Sequence, residues 1–385
     1  MASKYIFAIG KKHVFNPAAI AVVISALGLN FYAGWWIGTL CLAPVIFICG
    51  FLITRKLQRW DLVLSFFITS AALIIGYALF KNHDVVLVVR QLVIDSPWMF
   101  LAFIMLTEPA TTPPTKKLRM MYGSLVGFLF WVGPLMPFYF APELALILGN
   151  VFSYSISPKE KLILTLKEKL TIAHNTFDFI FTADKKLHFA PGQYLEWTLA
   201  HRNQDNRGMR RYFTVASSPT EDNIRIGVKF YDKPSSYKKT LESLQVGDHI
   251  VASQLAGDFT LPKDKNKKLV FIAGGIGVTP FRSIIKYLTD SNERRDIVMF
   301  YANREENDVA YREVFGQAEK AIGLKIFYKT GIITKEMILQ NAPDYKSRMF
   351  YISGPKSMVD AFKKTLADMG VPRQNIKTDF FPGFA

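Results

Sequence analysis

Residues 269–285 read LVFIAGGIGVTPFRSII, and this stretch decides the fold. An apolar strand-like run enters Gly274-Gly275-Ile276-Gly277, and a helical segment starts near Thr279-Pro280. Glycines let a backbone approach a pyrophosphate closely, a helix start attracts anions, and proline suits the first helical turn. A lone glycine-rich loop is a weak signal. Strand, glycines, Thr-Pro and helix in this order are a strong one. From Lys268 onward, KLVFIAGG, DIVMFYANR, KIFYKT and RMFYISG are short apolar strands with helical segments between most of them. That texture predicts a parallel α/β sheet. Within it YISGPKSMV, Tyr351 to Val359, again runs strand, glycine, helix.

Upstream, residues 160–262 alternate short apolar strands with turns: LILTL, FDFIF, QYLEWTL, YFTVA, IRIGVKF and HIVAS. This spacing predicts a small antiparallel barrel. One strand of it lies in RRYFTVASSP, Arg210 to Pro219. Arg211 offers a planar fork for a phosphate, and Phe213 and Thr214 follow it along an extended strand. KPSSYKKTL, Lys233 to Leu241, looks like a helix start, where free N–H groups favour anions.

Toward the N-terminus the texture becomes apolar. Half of the 385 residues are hydrophobic, and they dominate Phe15 to Phe152. Six candidate spans follow, at about 14–31, 34–54, 62–80, 85–106, 120–140 and 142–157, most near the roughly 20 residues that cross a bilayer core. Each must be helical, because lipid offers the backbone no partners. Basic residues precede the first span (Lys4, Lys11, Lys12) and follow the second (Arg55, Lys56, Arg59) and the fourth (Lys116, Lys117, Arg119). This alternation predicts both termini, and so the polar half, in the cytoplasm.

The net charge of +16 does not point to nucleic acid. N-terminal basic residues sit in short clusters between apolar runs, and those further on alternate with acids, as on a solvated surface. Cys41 and Cys49 lie in one apolar run, about 12 Å apart by helical rise, too far to pair, and are expected as small buried residues. No zinc spacing exists, so no metal is expected. Arg90 and Asp95 fall inside the fourth span, either as a structural pair or as a functional site. The segment TEPATTPPT, Thr107 to Thr115, cannot be helical throughout and is read as a loop with exposed backbone and hydroxyls, or as a phosphate- or ion-binding loop.

Two resemblances bear on function. RRYFTVASSP follows FAPGQYLEWTL and HRNQDNRG and precedes KPSSYKKTL, GDHI, LAGDFTLP and the glycine turn. That ordered set resembles the ferredoxin–NADP reductase superfamily over about residues 160–385. The resemblance implies FAD, with Arg211 on the flavin phosphate, Tyr212 and Phe213 along the flavin, and Thr214 near flavin N5. Ser235, Ser236 and Tyr237 would supply groups to the pyrophosphate. Gly274, Gly275, Gly277, Thr279 and Pro280 would bind the dinucleotide, and Gly354, Pro355 and Met358 would line the nicotinamide site. Ser353 stands where the superfamily has a cysteine. Arg304 could meet a 2′-phosphate, leaving NADPH and NADH both open. The tail TDFFPGFA sets Phe380, Phe381 and Phe384 where the superfamily often carries an aromatic that covers the flavin; an aromatic patch packed on the barrel is the alternative.

The second resemblance rests on GKKHVFNPAAIAVV, Gly10 to Val23, and MLTEPATTPPTKKLRMMYG, Met105 to Gly123. Both look like segments of the membrane flavin proteins of two redox pumps, the Rnf complexes and the sodium-pumping NADH:quinone oxidoreductase. Those proteins esterify flavin mononucleotide (FMN) to a threonine in an S-G-A-T-like motif that this sequence lacks. The implied second flavin is therefore non-covalent. Paired haems, as in transmembrane ferric reductases, are not expected, because this half offers only His13 and His83.

The expected architecture is multi-domain. It has an all-α transmembrane bundle (1–157), an antiparallel β-barrel FAD domain (158–264) and an α/β NAD(P)-binding domain (265–385). The expected function is that of an inner-membrane, multi-pass flavoprotein that oxidises NAD(P)H and passes electrons from FAD to a flavin or quinone in the membrane domain. Thr214, Ser353 and Phe381 are the residues nearest the chemistry. The alternatives are an anchored reductase of a soluble one-electron carrier such as ferredoxin, and a nucleotide-gated channel.

Overall fold

A computed structural model describes residues 2–9, 12–34, 37–133, 141–157, 161–202, 204–205 and 208–379. The chain divides into two compact units, Met1–Lys161 and Leu162–Ala385.

Apart from a short antiparallel ladder between Ala8–Ile9 and Lys12–His13, the first unit is helical. Helix α1 (Pro17–Leu29) starts at Asn16, whose side chain accepts from the Ala18 and Ala19 N–H groups, with Pro17 in the first turn. Then come α2 (Ala43–Leu57) and α3 (Trp60–Phe80). Helix α4 (Val85–Ile94), capped by Asp84, is bent by 55° from α5 (Trp98–Met105). Pro97 lies at that break, and residues 101–105 form a π-helical turn. Helices α6 (Lys116–Val132) and α7 (Ala141–Ile156) complete the unit. Each of the six apolar runs thus contains helix, but among the described residues only α3 is long and apolar enough to cross a membrane, joined by the α4–α5 pair if it counts as one broken span. The run at 34–54 turns helical only at Ala43, just ahead of Pro44.

Helices α3 and α6 cross closely. A Cβ on Gly127 would stand 2.8 Å from the Phe66 carbonyl oxygen, and one on Gly123 would meet the Ser65 hydroxyl and the Leu62 carbonyl. Small residues four apart let two backbones touch, which is how helices associate where lipid supplies no hydrophobic drive. Arg119 ties the start of α6 to Asp61 near the start of α3 at 2.7 Å and donates to the Pro114 carbonyl.

Three expectations change here. Thr107, Thr111 and Thr112 are buried, and their hydroxyls bond back to carbonyls one turn earlier, so these three hydroxyls are not exposed. Cys41 and Cys49 are exposed. Arg90 and Asp95 are exposed too, and among the described residues no ion pair joins them.

The second unit begins with six antiparallel strands: β1 (Leu162–Ala173), β2 (Thr176–Ala183), β3 (Tyr194–Thr198), β4 (Arg210–Thr214), β5 (Ile224–Lys229) and β6 (His249–Ala256). Their order is β4-β3-β6-β1-β2-β5. Among the described residues no ladder joins the two edge strands. They are bridged instead just past β4, where the Ala216 N–H donates to the Arg225 carbonyl and the Arg225 N–H to the Ser217 hydroxyl. Short helix α8 (Ser236–Glu242) lies between β5 and β6.

Five parallel strands follow: β7 (Leu269–Gly274), β8 (Ile297–Asn303), β9 (Lys325–Thr330), β10 (Met349–Ser353) and β11 (Ile376–Asp379), in the order β9-β8-β7-β10-β11. Helices α9 (Thr279–Asp290), α10 (Arg312–Ile322), α11 (Lys335–Asn341) and α12 (Lys356–Asp368) connect them. The central strand β7 is buried along its whole length, as a parallel sheet covered on both faces requires. Separate apolar cores, one around Phe271 and Phe281 and one around Ile272 and Phe350, fill those faces.

Gly127→Leu should force α3 and α6 apart, at an overpacking cost of about 1–3 kcal/mol. Thermal unfolding of the detergent-purified chain should shift downward, whereas the same substitution at Gly28, where a Cβ meets nothing within 4 Å, should not. Equal midpoints for the two variants would contradict the close crossing.

Candidate active site

Strand β4 presents its side chains alternately. Arg211 is buried. It donates to both carboxylate oxygens of Asp205 at 3.0 and 3.1 Å and to the Gly208 and Arg210 carbonyls. Its guanidinium lies 5.1 Å above the Tyr237 ring, a cation–π contact. Ser235 caps α8 by accepting the Lys238 N–H, and the Ser236 hydroxyl meets the Asp205 N–H at 3.0 Å and His201 Nε2 at 3.1 Å. Arg211 and Ser236, both expected at a phosphate, therefore converge. Helix α8 has only seven residues, so anion attraction there rests on these side chains more than on a helix dipole.

Tyr237 is placed otherwise than expected. It is fully buried, its hydroxyl donates to the Trp197 carbonyl inside the barrel, and burial pushes its ionisation far up. Its ring supports Arg211 instead. Phe213 is half-buried against the same core, 6.0 Å from Tyr237. Tyr212 stands on the other face, edge-on to Tyr194, with its hydroxyl on Glu196.

At the end of β4, Thr214 reaches across to the α/β domain. Its hydroxyl donates to Asp379 Oδ2 at 3.4 Å, and the Ser353 hydroxyl donates to the same oxygen at 3.3 Å. All three residues are buried. Strands β10 and β11 pair Ser353 with Asp379 in register, so the sheet itself aims both at Thr214. Burial pushes the Asp379 carboxyl up to about 7, and the two hydroxyl bonds only partly oppose it. Sequence reasoning misses Asp379. It sits in TDFFPGFA, where the aromatic residues dominate, and an acid at the end of a strand carries no signal of its own. Phe380, Phe381 and Phe384 lie outside the described residues.

The glycines divide by role. A Cβ on Gly274 would meet the Met358 sulfur at 2.5 Å, and one on Gly277 would meet the Gly354 backbone at 2.5 Å. These glycines, with Gly354, Pro355 and Met358, let two strand-to-helix turns pack back to back. Gly275 differs: its φ is +52°, and nothing lies within 4 Å of where its Cβ would point. It is the open position of the turn. Thr279 and Pro280 are buried at the start of α9, where the Thr279 hydroxyl donates to the Ile276 carbonyl. Arg304 is exposed just past β8, next to buried Asn303.

A polar seam fixes the two domains of this unit. Buried Arg282, on α9, donates to the Ala216 carbonyl and to both oxygens of Glu221. Ser283 donates to the Ser217 carbonyl at 2.7 Å, and Tyr311 to Asp178 at 2.8 Å. Burial pushes Glu221 upward, but the Arg282 bond and charge outweigh it and leave that carboxyl below its usual range.

The helical unit has a cavity of about 640 Å³. Val22, Ile53, Phe100 and Ile104 give it an apolar wall, and Asn16, Thr107, Glu108 and Glu143 supply polar groups. Asn16 is held by Asn150, and Glu108 lies 3.3 Å from His13. Among the described residues that line it, none is Lys or Arg.

An antiparallel sheet with an anion fork, joined to a parallel sheet with a glycine turn, defines a two-domain flavin and dinucleotide module. Comparison with known proteins agrees. Residues 163–260 match the oxidoreductase FAD-binding domain, and residues 271–364 match the oxidoreductase NAD-binding domain. Residues 25–158 match the NQR2, RnfD, RnfE family, so the chain joins a ferredoxin-reductase-like module to a segment of that family. Flavohemoprotein A of Dictyostelium discoideum is 26% identical over 231 residues, covering 55% of this chain and 58% of that one. NADH-cytochrome b5 reductase 1 of Aspergillus terreus is 27% identical over 237 residues, covering 56% and 80%. The chain spans little more than half the length of the curated flavohemoproteins it matches. A cytochrome P450 reductase of Amycolatopsis, GcoB, shares the fold with a TM-score of 0.52 at 22% identity, over 57% of this chain and 69% of that one.

The Asp379 proton has a stability signature. The folded state keeps it up to about pH 7, whereas the free carboxyl releases it near 3.8. The stabilisation is full below about pH 4 and is lost as pH rises through 7. Asp379→Asn should flatten this part of the thermal-stability profile measured from pH 4 to 8. An unchanged slope in the variant would refute the assignment.

Proposed function

We propose that this chain is a membrane-bound flavoprotein that oxidises NADH or NADPH and passes the electrons from FAD to an acceptor in its helical unit. The convergence of Thr214, Ser353 and Asp379 where the two domains meet carries this reading. It sets hydroxyl groups from the flavin side and from the nicotinamide side against one carboxyl.

The residues fit FAD. Arg211 is already engaged by an anionic side chain, Asp205, whose backbone N–H meets the Ser236 hydroxyl, so an anion suits that fork. Bound there, FAD would take a hydride from the nicotinamide and release electrons onward. Arg211 and Ser236 hold the phosphate, Phe213 lies along the ring system, and Thr214 holds its hydroxyl toward the flavin ring. Gly275 gives the nicotinamide dinucleotide its open backbone, beside Thr279 and Pro280 at the start of α9. Ser353, Gly354, Pro355 and Met358 border the nicotinamide, and Arg304 borders the adenosine ribose. Asp379, whose ionisation burial moves up to about 7, fixes the Thr214 and Ser353 hydroxyls when it is a carboxylate.

For the acceptor, the cavity in the helical unit favours a quinone over flavin mononucleotide. Its polar groups include two carboxyls, and no cation among the described lining residues would meet a phosphate. The reaction is then NAD(P)H + H⁺ + quinone → NAD(P)⁺ + hydroquinone, with Glu108 and Glu143 placed to hand protons to the quinone oxygens. The basic clusters between apolar runs support a multi-pass protein of the inner membrane with its reductase unit in the cytoplasm. The likeness to a cytochrome b5 reductase favours a second reading, in which the helical unit only anchors a reductase of a one-electron carrier.

Purified full-length protein should reduce ferricyanide, which draws electrons from the reductase unit, and also decylubiquinone. Val22→Trp fills the cavity. It should cut quinone reduction roughly ten-fold and leave ferricyanide reduction near the wild-type rate. Ferricyanide turnover without any quinone turnover in the wild-type protein would favour the anchor reading. Undiminished quinone turnover in Val22→Trp would remove the cavity from the route.

A further inference from the structure

We infer that Asp205 is a built-in surrogate for the flavin phosphate, which holds the phosphate site together before FAD arrives and must give way when it binds. The inference rests on the reading that Arg211 and Ser236 take the phosphate. One residue engages both of them. The Asp205 carboxylate accepts from Arg211 Nη2 with both oxygens, at 3.0 and 3.1 Å. Its own N–H donates to the Ser236 hydroxyl at 3.0 Å.

The physical need for such a group is plain. Arg211 is 3% exposed, and its partners other than Asp205 named above are neutral: two carbonyls and the Tyr237 ring. A guanidinium cannot shed its proton, so a buried one requires an anion nearby. Before the cofactor binds, the chain has to supply that anion. Asp205 is suited to the task because its side chain is 28% exposed while that of Arg211 is 3% exposed. The carboxylate is thus the water-accessible member of the pair and the guanidinium the enclosed one. His201 strengthens the arrangement from the other side, since its Nε2 shares the Ser236 hydroxyl at 3.1 Å.

Flavin loading is then an exchange of one anion for another on a fixed cation. A phosphate brings more acceptor oxygens and more charge than a carboxylate, so it wins the exchange, but its net gain is reduced by the Asp205 contact it displaces. The surrogate thus stabilises the empty protein and weakens the loaded one relative to it. This coupling separates a surrogate from an ordinary structural salt bridge, whose loss would weaken both states alike.

The test uses detergent-purified full-length protein, stripped of flavin and refilled. FAD affinity is read from quenching of flavin fluorescence, and stability from thermal unfolding with and without FAD. For Asp205→Asn, the empty protein should melt lower, while FAD binds roughly ten-fold tighter and produces a larger upward shift in melting. Asp205→Glu, which keeps the charge, should stay near wild type in both respects. Weaker FAD binding by Asp205→Asn, or an unchanged affinity, would overturn the surrogate and leave Asp205 as a residue that positions Arg211 or does nothing for the site. Arg211→Met guards the underlying reading: if it binds FAD as well as the wild type does, the phosphate assignment fails first. Should Asp205→Asn fail to fold when empty, its FAD dissociation rate after folding with FAD present gives the same answer, and only slower release supports the proposal.

Discussion

A guanidinium from the dinucleotide domain is buried in the wall of the flavin domain, and the active-site geometry depends on it. Arg282 leaves the first turns of α9, just beyond the glycine turn, and closes on the Ala216 carbonyl and on Glu221. Ala216 lies two residues past Thr214. The bond that fixes the domain angle is thus made almost on top of the residue that must face the other domain. A buried ion pair adds little net stability, because desolvation offsets most of the attraction. It does penalise any other domain angle, since rotation would take the carboxylate away from the buried Arg282 guanidinium. Ser283 and Tyr311 add shorter-range bonds along the same seam.

The constraint explains why the site lies where it does. Parallel strands end at the same edge of their sheet, and ligands of such sheets gather there. Strands β7 and β10 are neighbours, and their two glycine turns pack so tightly that Gly274, Gly277 and Gly354 cannot carry side chains without displacing each other or Met358. This packing brings Ser353 beside the turn that holds Gly275. Strand β11 pairs on the far side of β10 and brings Asp379 level with Ser353. The seam then turns β4 so that Thr214 completes the group.

Much of this is legible in the sequence, because patterns with fixed periods report local geometry. Apolar alternation and punctuation give the six antiparallel strands and the strand–glycine–helix turn, and the fold contains them all, though no ladder among the described residues closes the sheet into a barrel. The glycine spacing suggests approach to a ligand, yet three of the glycines serve approach to one another, a tertiary fact that no local pattern encodes. The position of Tyr237 after two serines suggests a phosphate contact, but its direction depends on a barrel core that only the folded sheet creates. Asp205 and Asp379 escape the sequence for a related reason. A lone acid acquires meaning from the group it meets, and Arg211 and Thr214 are distant from them in different ways: six residues across a loop, and 165 residues across a domain boundary. The helical unit shows the opposite limit. Composition announces apolar helices, but the lengths of the helices depend on where prolines and bends fall. Among the described residues only one clears the span of a bilayer alone.

Asp379 and Asp205 also show two different uses of a carboxyl. Asp205 is partly exposed beside a permanent cation, the position from which another anion would displace it. Asp379 is buried against two neutral hydroxyls, so its charge is disfavoured and its ionisation moves toward neutrality. Near neutral pH it therefore alternates between accepting two hydroxyl bonds as a carboxylate and holding a proton of its own. In the first state, Thr214 and Ser353 are committed as donors to it. In the second, a hydroxyl is freed to face whatever lies between the two domains.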